Sequence, residues 1–270
     1  MTTEASLLNI STENGVQVWS MNFAPANALH PNLLGALNIA IDDATRDEGV
    51  SVVILTSELG LFSSGGDAKW MRGQLEKLGT DGLVNAFNET MDAFRAVCMR
   101  LRNAPFLVVA ALNGHTLAGG LELAAACDLR FSSDKDRLMI GVPEMDLFGA
   151  VPSGGGGGQL LARLLGPAKA LEFILEAKPV SPQKALEIGL VERLYAPDDL
   201  MPKTQKFAAE VAKKAGRLGV SAAKRQLLGG AELPLANAME LDRSVHWDNM
   251  RRGNFPKNVG AFVEKYGGDS

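Results

Sequence analysis

Two short apolar runs, each emptying into a glycine-rich turn, constrain this chain more than any other feature. Residues 50–56 (VSVVILT) lead to Phe62-Ser63-Ser64-Gly65-Gly66-Asp67. Residues 106–112 (FLVVAAL) lead to Asn113-Gly114-His115-Thr116-Leu117-Ala118-Gly119-Gly120-Leu121-Glu122. Runs this apolar and β-branched fit strands buried on both faces, so helices must cover the sheet they join. Glycine then lets the main chain approach a ligand and frees N–H groups from the strand ladder. Two such turns side by side could aim two N–H donors at one oxygen. The second also opens a helix, whose N-terminal dipole favours negative charge.

The remaining pattern alternates strand and helix. Residues 6–21 read as a hairpin around the turn signal Glu13-Asn14-Gly15. Pro31 opens a helix with Leu33, Leu34, Leu37, Ile41 and Ala44 at helical spacing. Phe87, Met91, Phe94, Cys98 and Leu101 draw one apolar stripe on a long helix that ends before Pro105; such a stripe is core packing. Residues 129–132, 137–140 and 191–194 are short strand candidates, and residues 159–165 a helix. Ser181-Pro182 caps and starts a further helix that Gly189 ends. From Leu200 onward every element is helical, and no repeat of fixed period occurs. The order predicts an α/β core over residues 1–200 and a helical region over 201–270. At 270 residues the chain could hold nearly two domains of roughly 150 residues, but α/β folds of this length are often one unit.

Charge and cysteine use exclude several classes. The net charge of −4 does not suit a nucleic-acid binder. Residues 201–270 carry 12 Lys and Arg against 7 Asp and Glu, read as a solvated helical surface or as charge facing a phosphate-bearing ligand. The basic groups Lys213, Lys214, Arg217, Lys224 and Arg225 form too modest a cluster for RNA binding. Cys98 and Cys127 lack CxxC spacing, so the expected compartment is a reducing cytoplasm. The N-terminal stretch MTTEASLLNI has no basic region before an apolar one and does not read as a signal peptide. Residues 106–131 are interrupted by Asn113, His115 and Glu122 and are too polar to span a membrane.

Familiar catalytic patterns are missing: HExxH, GxSxG, a Walker loop and a paired Cys/His metal cluster. The candidates are carboxylates. Glu122 lies shortly after Gly119-Gly120 in the otherwise apolar LELAAACDL, and Glu144 follows Gly141-Val142-Pro143. An acid in such a segment costs free energy unless it is paired or functional; for Glu122 the alternative is an acid meeting the helix dipole. His115 is expected in a structural hydrogen bond, and His30 and His246 as cap or surface residues. The run Gly154–Gly158 either approaches a ligand or acts as a hinge.

These residues resemble the crotonase, or enoyl-CoA hydratase/isomerase, superfamily over nearly the whole chain. The resemblance runs from Pro25-Ala26-Asn27-Ala28-Leu29 through FSSGGD at 62–67, NGHTLAGGLELAAACDLRF at 113–131 and GVPEMDLFGAVPSGGGG at 141–157 to the C-terminal helices. It implies an α/β spiral of ββα units, a helical C-terminal trimerisation region, a homotrimer or homohexamer, and an acyl-CoA thioester ligand. Gly66 and Gly119 match the two oxyanion donors, and Glu122 and Glu144 the two glutamates of hydratases. Asn27, Ala28, Leu29, Ser64, Gly65, Asp67 and Lys69 lie where relatives border substrate and CoA. Phe262 and Lys265 match a C-terminal FxxK that reaches the CoA nucleotide, often from a neighbouring subunit. The leading expectation is hydration of a 2-enoyl-CoA without metal or redox cofactor. Isomerisation of a 3-enoyl-CoA, other acyl-CoA chemistry and an idle binding protein are the alternatives. The chain departs from hydratases by one extra residue between Glu144 and Pro152, in a stretch holding Asp146 and Phe148.

Overall fold

The computed structural model describes residues 6–267. Strands β1 (Leu8–Glu13) and β2 (Val16–Met21) form the hairpin, turned at Asn14 and Gly15. Strands β3 (Val52–Ser57), β4 (Leu107–Leu112), β6 (Leu129–Ser133) and β8 (Arg193–Tyr195) then add in parallel, giving the order β1-β2-β3-β4-β6-β8. All six residues of β3 are buried, as its composition requires. Its side chains alternate between two separate cores. Val53 and Leu55 join Val108, Ala110 and Leu112 of β4 in the larger one. Val52 and Ile54 join Val109 and Ala111 in the smaller one, on the opposite face.

Helices cover both faces. The larger core is closed by α1 (Pro31–Arg46), by the C-terminal half of α2 (Ala68–Asn103) and by α3 (Gly119–Ala126). His30 caps α1, its Nδ1 accepting from Asn32 N–H at 3.1 Å. Helix α2 is broken at Gly79, where φ is 70° and ψ −174°. Beyond the break, Met91, Phe94, Cys98 and Leu101 of the stripe read from the sequence are buried, and Phe87 is half-buried. The smaller core is closed by α8 (Leu200–Lys214), which inserts Leu200 and Ala208 under the sheet.

A second, two-stranded parallel sheet pairs β5 (Thr116–Leu117) with β7 (Ile140–Gly141). Neither strand was legible at these limits, because two residues carry no period. Helices α4 (Glu144–Leu147), α5 (Gly157–Leu165), α6 (Pro167–Glu176) and α7 (Pro182–Ile188) complete the α/β part. The last segment runs through α9 (Gly216–Lys224), a π-helical turn (Arg225–Gly229), α10 (Leu235–Arg252) and α11 (Phe255–Tyr266). Helix α11 buries none of its residues, and α10 buries only Val245.

Basic residues of this segment are partly used as internal ties. Arg217 donates to the carbonyls of Ala44, Thr45, Asp47 and Val50, closing the C-terminal end of α1. Lys224 donates to the carbonyls of Leu101 and Phe106 and pairs with Asp128 at 2.7 Å. Asp128 also accepts from Val108 N–H at 2.7 Å, so one carboxylate joins the start of β4 to α9. Burial raises the Asp128 pKa and lowers that of Lys224, each opposed by the other's charge. Breaking such a pair from one side costs about 3–5 kcal/mol, because a buried charge is left alone. Lys224→Met should therefore lower the urea midpoint steeply, and adding Asp128→Asn should recover much of the loss. Equal midpoints for wild type and Lys224→Met would show that the pair does not hold the segment.

Candidate active site

The two glycine turns are stitched together by backbone bonds. Phe62 and Ser63 N–H both donate to the His115 carbonyl, at 3.0 and 3.2 Å, and Leu117 N–H returns to the Ser63 carbonyl at 3.0 Å. The His115 side chain accepts from Met139 N–H at 3.2 Å, so its role is structural. A third segment joins them. Leu29 N–H donates to the Gly65 carbonyl at 2.7 Å, and Ser64 N–H to the Ala26 carbonyl at 3.0 Å. Asn27 is fully buried; it accepts from Phe23 N–H and donates to Ser57 Oγ and the Phe62 carbonyl. Its side chain braces the loop from inside.

At the crossing the chains touch so closely that side chains are excluded. A Cβ at Gly65 would stand 2.5 Å from Ala118 Cβ and 2.9 Å from Gly119 N, and Gly65 has φ +89° besides. Ala118 itself adopts φ 53° and ψ −130°, a conformation costing an alanine of order 1–3 kcal/mol. That bend directs the chain into α3 at Gly119. Among the described residues, the N–H groups of Gly66 and Gly119 donate to no protein acceptor. Gly66 is exposed, and Gly119 opens the positive end of α3. Asp67 caps α2, accepting from Trp70 N–H at 2.9 Å, and Lys69 is exposed in the first turn of that helix.

The small sheet places the carboxylates. Ala118 N–H donates to the Gly141 carbonyl at 2.8 Å, which sets the strand leading to Glu144 beside the start of α3. Every residue of α3 is buried, and its one charged side chain, Glu122, is 2% exposed. Burial pushes Glu122 up to about 7, with the nearby Glu144 adding to the rise. The N–H groups of Gly157 and Gly155 and the Arg95 guanidinium oppose it. Gly157 N–H meets Glu122 Oε2 at 2.7 Å. Glu144 is 8% exposed and is also raised by burial; its Oε2 has no protein partner.

The glycine run finds its reason here. A Cβ at Gly155 would lie 2.1 Å from the Phe94 ring, and one at Gly157 2.9 Å from Glu122 Oε2. The run approaches the Glu122 carboxylate and supplies its N–H donor. That role was missed in the sequence, where the run stood out but its partner did not. The stretch before it is turned outward: Asp146, Leu147, Phe148 and Val151 are exposed.

Other expected site residues stay apart. Phe262 and Lys265 lie on α11 with Phe262 62% exposed, and neither bonds to the turns. Lys265 Nζ and the Phe262 ring each lie 5.1 Å from the Tyr266 ring centroid. No cluster of three or more His, Cys, Asp or Glu able to hold a metal occurs among the described residues. No described helix is long and apolar enough to cross a membrane. The arrangement as a whole can hold one partly anionic oxygen at two N–H groups and move protons between two buried carboxylates.

Known proteins resemble this chain over most of its length. The family model described as enoyl-CoA hydratase/isomerase matches residues 11–268. YngF of Bacillus subtilis, named for the same two activities, is 35% identical over 241 residues, covering 89% of this chain and 88% of its own. Rat mitochondrial methylglutaconyl-CoA hydratase is 30% identical over 97% of this chain and 81% of its own. An enoyl-CoA hydratase structure from Geobacillus kaustophilus superposes with a TM-score of 0.87 at 31% identity, covering 97% of this chain and 96% of that one. One from Bacillus anthracis gives 0.87 at 27%, covering 96% and 97%. The fold is crotonase-like.

Burial of Glu122 couples the stability of the fold to pH. Its carboxyl holds a proton up to about pH 7 in the folded chain but releases it near 4.5 when unfolded. Between those values the native state binds more protons, so stability falls as pH rises. The full penalty above pH 7 is about 3 kcal/mol. Glu122→Gln should therefore melt above wild type at pH 8, with the gap closing toward pH 4.5. A gap independent of pH would mean that burial does not set the Glu122 ionisation.

Proposed function

The chain belongs to the enoyl-CoA hydratase/isomerase family, and on that premise we propose that this enzyme adds water reversibly across the double bond of a 2-enoyl-CoA thioester. The observation that carries the reading is the meeting of two buried, mutually interacting carboxylates with two turns whose Gly66 and Gly119 N–H groups have no protein acceptor. Both N–H groups donate to the thioester oxygen. This polarises the conjugated double bond and stabilises the enolate as it forms. Each such donor is worth roughly 3–4 kcal/mol in the transition state.

The two glutamates divide the proton transfers. Glu122, ionised, takes a proton from water as its oxygen bonds to Cβ. Glu144, protonated, gives its proton to Cα. Exchange between the carboxylates restores the starting state, and the pair titrates as a unit. The reaction draws on no metal or redox cofactor. Ala28, Leu29, Ser64, Gly65, Asp67 and Lys69 border the substrate and its CoA, with the Asn27 side chain holding that segment in place. The exposed Leu235, Met239, Trp247, Phe255 and Phe262 of α10 and α11 form the contact surface of a homotrimer or homohexamer. There Phe262 and Lys265 serve the CoA of a neighbouring copy. The two free, buried thiols Cys98 and Cys127 suit a reducing cytoplasm.

Glu122→Gln and Glu144→Gln should each lower crotonyl-CoA hydration about 10²–10⁴-fold while the fold is kept. Mass spectrometry of products from 2-enoyl- and 3-enoyl-CoA substrates checks the reaction type. Double-bond movement without water addition would make the enzyme an isomerase, and free CoA a hydrolase. Unchanged turnover in both variants would remove the glutamates from the mechanism.

A further inference from the structure

Among the described residues three buried side-chain oxygens lack a hydrogen-bond partner: Asn113 Oδ1, Glu144 Oε2 and Ser153 Oγ. Asn113 stands at the end of β4, where its amide donates to the Ser57 and Leu59 carbonyls. The other two belong to the segment that carries Glu144 into the glycine run. A buried polar atom left unpaired costs about 1–3 kcal/mol, so each calls for a reason.

Ser153 borders the same small space as Glu122. A Cβ built on Gly157 would stand 2.7 Å from Ser153 Oγ, 2.7 Å from Glu122 Cγ and 2.9 Å from Glu122 Oε2. The glycine at 157 keeps that space free of side-chain atoms. Ser153 makes no hydrogen bond to Glu122, whose Oε2 already accepts from Gly157 N–H. The charged groups acting on Glu122 are Glu144 and Arg95, and Arg95 is committed to Asp92 and the Gly154 carbonyl.

A water molecule held for attack has two protons and two lone pairs. Its protons face the carboxylates of Glu122 and Glu144, and one lone pair faces Cβ. The second lone pair calls for a donor. The ionised Glu122 has none to offer, the O–H of the protonated Glu144 is aimed at Cα, and the Gly157 N–H is engaged by Glu122. The Ser153 hydroxyl is a free donor on this wall.

We propose that Ser153 is a further catalytic residue, whose O–H donates a hydrogen bond to the oxygen of the water being added and so aims its lone pair at Cβ. The step rests on the hydration reading above. Water gives one proton to Glu122, its oxygen bonds to Cβ, and Cα receives the Glu144 proton; Ser153 keeps its own proton throughout.

The test is steady-state crotonyl-CoA hydration by Ser153→Ala and Ser153→Thr, with melting temperatures. Ser153→Ala should lower kcat about tenfold, the worth of one neutral hydrogen bond in the transition state. KM should not move, and the melting temperature should not fall, because the hydroxyl has no partner whose loss would weaken the fold. Ser153→Thr keeps the donor and should regain most of kcat. A wild-type kcat in Ser153→Ala, with Glu122→Gln still impaired, would overturn the role of Ser153 alone. A fall in melting temperature that Thr does not restore, with kcat unmoved, would make the residue structural. No water addition by the wild type would overturn the hydration reading, and this proposal with it.

Discussion

The site depends on the backbone bonds that overlay the two glycine turns. The His115 carbonyl receives Phe62 and Ser63 N–H, and the Ser63 carbonyl receives Leu117 N–H. These bonds fix the separation of two loops that lie far apart in the chain. They place Gly65 against Ala118 and Gly119 so tightly that no side chain fits between. Parallel pairing of β3 with β4 brings the loops to the same sheet edge, and the stitching sets their register. Strain at Ala118 is tolerated because the surrounding bonds over-determine it. The stitching bonds are main chain to main chain, and the buried Asn27 side chain braces them from inside.

A second constraint sits on the first. Glu122 lies in a helix that is otherwise all apolar and buried, and its ionisation is costly there. The compensation is local: the positive end of α3, the Gly157 N–H and the Arg95 charge. It is incomplete, which leaves the carboxyl near neutrality in its affinity for a proton, where an acid–base group is most useful. Stability is given up at one residue, and the carboxyl there can take up or release a proton near neutral pH. The small β5–β7 sheet then holds Glu144 close enough for the two charges to interact.

Much of this was legible in the sequence, and the reasons divide cleanly. Residues 50–56 and 106–112 are apolar enough to announce buried strands, and β3 and β4 lie there. Ser181, Pro182 and Gly189 punctuate α7 as a cap, first-turn proline and stop should. Glu122 stood out because charge in an apolar stretch needs a cause. What was hidden is contact between distant segments. Nothing local says that Gly155 packs on Phe94 or that Gly157 donates to Glu122. The strands β5 and β7 are too short for any period to show. The residue-200 boundary was placed by element type alone. The structure begins α8 there, and that helix packs under the sheet, while α10 and α11 stand off it.

If the paired turns polarise a thioester carbonyl through main-chain donors, vibrational difference spectroscopy of a bound 2-enoyl-CoA reads that polarisation most directly. With the carbonyl carbon isotopically labelled, its stretch should shift to lower frequency on binding, below its value for the same thioester free in water. A stretch at or above the free value would show that the Gly66 and Gly119 N–H groups do not engage the oxygen, and would contradict the proposed chemistry at its root.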